Sequence, residues 1–105
     1  MSKLNVITAE QFPAAIAAGA VLVDFGAPWC GPCKALEPVV FQVGEELQGK
    51  LSVVKVDIDA TPDLAADLGI MSVPTLLLFK DGKKVGSRAG IQSKSQLLEF
   101  VNAAI

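Results

Sequence analysis

The chain has no histidine, no tyrosine and only two cysteines among its 105 residues. A structural zinc site takes four nitrogen or sulfur ligands, so a single copy of this chain cannot supply one. A site shared across a dimer is the only zinc arrangement left. Aromatic residues are scarce, at 6%, so any core is built mainly of Val, Leu, Ile and Ala. Charge of one sign is lacking too. Nine basic against eleven acidic residues leave a net charge of −2, and with no basic run nothing suggests a nucleic-acid surface. Long apolar runs are missing: residues 14–20 and 71–79 are broken by Gly, Pro or polar side chains. Neither approaches the roughly 20 residues needed to span a bilayer. The first four residues, Met1-Ser2-Lys3-Leu4, carry no apolar leader segment, so a cytoplasmic location is expected. Thiols are kept reduced there, and a lone disulfide-capable pair in that setting reads as catalytic before structural.

What is present is a chain that is 51% hydrophobic, enough for a packed core and of a length that suits one domain, residues 1–105. Its elements alternate. Residues 4–7 read as a short strand. Thr8 and Gln11 have capping-box spacing and open a helix to about residue 18, with Pro13 blurring its start and Gly19 ending it. Val21-Leu22-Val23-Asp24-Phe25 is β-branched and nearly all apolar, as a strand covered on both faces should be. A long helix is predicted over 30–47, with Pro38 inside it and a kink expected there. Residues 51–58 read as a third strand. Thr61-Pro62 caps a short helix that Gly69 closes. Strands at 75–79 and 84–88 flank Asp81-Gly82, a strong hairpin signal. Ser93 with Gln96 caps a last amphipathic helix. The order β-α-β-α-β-α-β-β-α predicts parallel pairing first and an antiparallel edge from the hairpin. The fold class is therefore α/β, a central mixed sheet with helices on both faces.

Both cysteines lie in Trp29-Cys30-Gly31-Pro32-Cys33, between the apolar strand and the long helix. The first turn of a helix leaves backbone N–H groups unpaired, and its dipole places positive charge there. Both stabilise a thiolate at Cys30. Cys33 falls one turn further in, on the same face and less exposed. Cys30 then attacks a substrate disulfide, and Cys33 resolves the mixed disulfide. Pro32 suits a first turn, where its missing donor is not needed, and Gly31 leaves room for a substrate backbone. Covalent haem would need His after the second cysteine, where Lys34 stands. A structural crosslink closing so short a loop would restrain the unfolded chain little. Asp24 is the one charged residue in its strand. It is read either as a carboxylate reaching solvent from a strand end, or as a buried acid behind the thiols that takes and returns the Cys33 proton.

From Val23-Asp24-Phe25 through Ala27-Pro28-Trp29-Cys30-Gly31-Pro32-Cys33-Lys34, the sequence resembles the thioredoxin family. The likeness continues through Pro38, Lys55-Val56-Asp57, the run Val73-Pro74-Thr75-Leu76-Leu77-Leu78-Phe79, Asp81-Gly82 and Gly90. It covers nearly the whole chain in order. The resemblance implies the thioredoxin fold, with five strands in a mixed sheet flanked by four helices. It implies protein-disulfide reductase activity without a cofactor of its own. It also implies regeneration by a thioredoxin reductase that holds flavin and draws on NADPH. It favours the proton-transfer role for Asp24, with Lys55 as its cationic partner, and a cis Val73-Pro74 bond beside the thiols. Trp29, Gly31, Pro32, Val73, Pro74, Gly90 and Ile91 are then expected to form an almost uncharged docking rim for disulfide-containing proteins, on a monomer. Gly26 departs from the family, which usually carries a bulky aromatic there, so looser packing under the Trp29 loop is expected. Other readings are an oxidant or isomerase, and a binding module that uses the rim without chemistry.

Overall fold

Five strands form one mixed sheet in the computed structural model, which describes residues 4–105. The leader-free start read at Met1, Ser2 and Lys3 lies outside those residues. In chain order the elements are β1 (Asn5–Val6), α1 (Phe12–Ala15), β2 (Ala20–Gly26), α2 (Gly31–Glu46), β3 (Ser52–Asp57), α3 (Pro62–Asp67), β4 (Thr75–Lys80), β5 (Lys83–Ala89) and α4 (Lys94–Ala104). The sheet order is β1-β3-β2-β4-β5. β1 and β2 run parallel to β3, whereas β4 is antiparallel to both β2 and β5.

The all-apolar character of β2 has its cause in this order. It is the middle strand, and each of its residues is buried. Leu22 packs with Leu36, Val40, Leu76 and Leu97 on the face covered by α2 and α4. Val21, Val23 and Phe25 pack with Phe12, Val56 and Leu77 on the face covered by α1 and α3. Burying a Leu, Val or Phe side chain contributes on the order of 1.5–3 kcal/mol. Strand alternation therefore assigns Asp24 to the α2 face, between Leu22 and Gly26.

Two local expectations need correction. Thr8 and Gln11 do exchange capping bonds, the Thr8 N–H to Gln11 Oε1 at 2.9 Å and the Gln11 N–H to Thr8 Oγ1 at 3.2 Å. They close a turn ahead of the helix, which spans four residues and stops at Ile16. It ends early because tertiary contacts claim the following segment. The Gly19 N–H donates to Asp81 Oδ1 at 2.8 Å, and the Asp81 N–H donates to the Gly19 carbonyl at 2.9 Å. Thr61 precedes α3, but its hydroxyl does not cap; it donates to the Asp57 carbonyl at 2.9 Å. The sheet has the expected parallel part and an antiparallel edge supplied by the hairpin strands β4 and β5. β4 starts at the end of the sheet where β3 finishes. Thr75 pairs with Phe25, one residue from the Gly26–Asp57 pair.

The hairpin forms as read, with Asp81 and Gly82 both at positive φ (51° and 86°), the conformation a two-residue turn requires. Ser93 and Gln96 complete a capping box on α4. α2 runs unbroken through Pro38, although the Lys34 carbonyl forgoes its usual partner there. Among the described residues, no helix is long and apolar enough to cross a membrane.

Candidate active site

Cys30 occupies the N-cap of α2 in extended conformation, and its Sγ accepts the Cys33 N–H at 3.2 Å. The Cys30 N–H in turn donates to the Ala27 carbonyl at 3.1 Å, which fixes the loop between β2 and the helix. Pro32 falls in the first turn of α2, where a missing donor is harmless. Cys30 and Cys33 are joined as a disulfide with their Cα atoms 5.3 Å apart. Both are buried, Cys30 at 4% exposure and Cys33 at 1%, under Ala27, Ile58 and Val73. The expected difference in exposure has the anticipated direction and is small.

Behind the disulfide is a buried charged cluster. Asp24 is 1% exposed, and neither carboxylate oxygen has a hydrogen-bond partner. Burial pushes its pKa up from 3.8 to about 7; Lys55 opposes that rise and Glu37 adds to it. Asp24 pairs in register with Lys55 across the β2–β3 ladder, so both side chains start on the α2 face. The Lys55 Nζ, however, bonds Glu37 Oε1 from α2. The cationic partner expected for Asp24 is engaged by a second carboxylate.

Gly26 corrects another expectation. The region under the Trp29 loop is not loosened by the missing side chain. A Cβ at Gly26 would lie 3.3 Å from Cys33 Cβ, 3.4 Å from its Sγ and 4.0 Å from Lys55 Cε. Cys33 and Lys55 already occupy that space. Asp24, two residues earlier on the same face, therefore sits about 7 Å along the strand from Gly26, behind the inner sulfur.

The Thioredoxin family model matches residues 3–103. The chain belongs to the thioredoxin family. A thioredoxin from Rickettsia conorii is 47% identical over 85 residues, 81% of each chain. One from Bacillus subtilis is 45% identical over 95 residues, 90% of this chain and 91% of that one. Among solved structures, chloroplastic thioredoxin z superposes with a TM-score of 0.88 at 35% identity, covering 99% of this chain and 96% of that chain. With this membership and the Cys30–Cys33 pair, the protein is a protein-disulfide oxidoreductase of thioredoxin type.

The thioredoxin rim residues fall into two groups. Trp29, Gly31, Pro32 and Ile91 are exposed. Val73 is half-buried against the cysteines, and its bond to Pro74 is cis. Pro74 is buried and Gly90 half-buried, and the Pro74 carbonyl accepts the Gly90 N–H at 2.9 Å, which ties their two loops together. Trp29 is 68% exposed and donates its Nε1–H to Asp59 Oδ2 at 2.9 Å. Adjoining Cys30 and being the sole Trp, it should report on the disulfide. Its emission is expected to change on reduction with dithiothreitol, and an unchanged spectrum would mean the indole does not sense the couple.

Sequence reasoning missed two residues here: Glu37, which bonds Lys55, and Asp59, which accepts the Trp29 Nε1–H. Glu37 carried a usable signal, because Cys33, Leu36, Glu37 and Val40 recur at helical spacing. A carboxylate on that inward stripe calls for a partner. Among the described residues, no group of three or more His, Cys, Asp or Glu could hold a metal ion.

Proposed function

We propose that this protein works as a general two-electron carrier in the cytoplasm, one thioredoxin domain acting as a monomer. A thioredoxin reductase drawing on NADPH through flavin would reduce it, and protein disulfides would oxidise it. The observation that carries this reading is the Cys30 sulfur on the N-terminus of α2, bonded to the Cys33 N–H and paired with Cys33 itself. A thiolate in that position keeps the same donor and gains from the helix dipole.

In the proposed cycle the Cys30 thiolate attacks one sulfur of a substrate disulfide. A Cys30–substrate bond forms, the substrate S–S bond breaks, and one substrate thiolate leaves. Cys33 then gives its proton to Asp24, directly or through one water, and attacks Cys30 Sγ. The second substrate thiolate departs, and the Cys30–Cys33 disulfide holds the two-electron oxidation. An acid with a pKa of about 7 is suited to both halves of that transfer near neutral pH. Lys55 contributes positive charge beside it. Trp29, Gly31, Pro32 and Ile91 would contact the substrate by apolar surface. The Val73 backbone would pair with an extended segment as an added strand. Pro74 and Gly90 would set that backbone in place. Such contacts ask little of substrate sequence, which suits a carrier with many clients.

The test is to couple the protein to a thioredoxin reductase with NADPH and insulin. Steady NADPH oxidation with insulin reduction is expected. No turnover, with both thiols shown free by titration, would overturn the proposal.

A further inference from the structure

Lys55 has two carboxylates within its reach and bonds one of them, Glu37. We propose that Glu37 is a positioning residue for disulfide exchange: by bonding the Lys55 ammonium, it keeps Lys55 from pairing directly with Asp24 and leaves the Asp24 carboxyl free to carry a proton to and from Cys33. The inference rests on the proton role proposed above for Asp24.

The groups facing Asp24 can be counted from each element packed against it. β3 presents Lys55, and α2 presents Glu37 and Cys33. β4 places Leu76 opposite Asp24, and the core residues that α4 brings to this face, Leu97, Phe100 and Val101, are apolar. The cluster therefore contains two carboxyls and one ammonium, with Asp24 closed to water. An unpaired buried charge is costly, so the cheapest state is one ion pair and one neutral acid. Exposure decides which carboxyl takes which part. The Glu37 and Lys55 side chains keep 13% and 15% exposure, whereas Asp24 keeps 1%. The charge pair belongs at the wetter positions, and the neutral acid at the dry one behind Cys33. Without Glu37, Lys55 would turn to the carboxyl it faces across the ladder. An aspartate paired to a buried lysine stays ionised and is a poor proton acceptor at neutral pH.

The test follows the Asp24 carboxyl carbon by NMR against pH in the oxidised protein. In Glu37→Gln the Asp24 midpoint should fall by about one pH unit, through the released lysine and the lost repulsion. In a Lys55→Met background the same substitution should move the midpoint less than half as far. Glu37→Asp, which keeps the charge, should leave the midpoint near the parent's. The pH profile for release of a mixed disulfide should shift with the midpoint. An unmoved midpoint in Glu37→Gln, or an equal fall in both backgrounds, would overturn the assignment. The titration needs no turnover. Failure of the proton role itself would appear separately, as unchanged release in Asp24→Asn.

Discussion

Asp24→Asn should make the protein markedly more stable above neutral pH and change it little near pH 4. In the folded protein the Asp24 pKa is raised by burial from 3.8 to about 7. Below the lower value both folded and unfolded chains hold the proton, and the residue contributes no pH dependence. Between the two values the unfolded chain has released its proton while the folded chain retains it, so each rise in pH favours unfolding. Above about 7 both states are ionised, and the native state bears the full cost of a charge buried without a hydrogen bond. At 1.36 kcal/mol per pH unit that cost is on the order of 4 kcal/mol. Asparagine does not titrate, so the stability difference between variant and parent should be small at pH 4 and reach roughly 3–4 kcal/mol by pH 8. Urea unfolding of the oxidised proteins across that range measures it. A difference that stays flat with pH would mean that Asp24 is not a buried acid of raised pKa. The same variant should release substrate more slowly while capturing it normally.

What the sequence revealed and what it hid divide along one physical line. Signals carried by neighbours in the chain were readable. Asp81-Gly82 demanded a turn, Ser93 and Gln96 demanded a cap, and Cys30 before Gly31-Pro32 marked a helix start; each requirement is met within four residues. The apolar run around Asp24 was readable because a central strand has no polar face. Features decided by contacts between distant segments were not readable. α1 stops short of the Gly19 end read for it, and Gly19 is bonded instead to Asp81, 62 residues away. The site shows the same division. The two sulfurs are fixed by local spacing. The partner of Lys55 depends on how α2 lies over β3, and it is Glu37 that reaches Lys55. Gly26 was misread for a related reason: a missing side chain looks like space in a sequence, whereas here Cys33 fills it.

The two cysteine variants should behave as opposites. Cys30→Ser should abolish exchange, because it removes the sulfur at the N-cap of α2, the one that the Cys33 N–H and the helix dipole stabilise as a thiolate. Cys33→Ser should still capture substrates and fail to let them go. Its Cys30 keeps the cap position and the backbone N–H of residue 33, which accounts for its nucleophilicity in the first step. Only the second attack is missing, in which Cys33 bonds to Cys30 and the second substrate thiolate departs. Incubated with a disulfide-containing protein and run on a non-reducing gel, Cys33→Ser should show a band at the summed mass that vanishes with dithiothreitol. Cys30→Ser should show none. Turnover should fall to background in both. The reverse outcome, trapping by Cys30→Ser alone, would exchange the roles of the two sulfurs. Asp24 would then lie behind the attacking thiol, and its buried acid would serve capture in place of release. The gel therefore fixes both the order of attack and the step to which the buried carboxyl belongs.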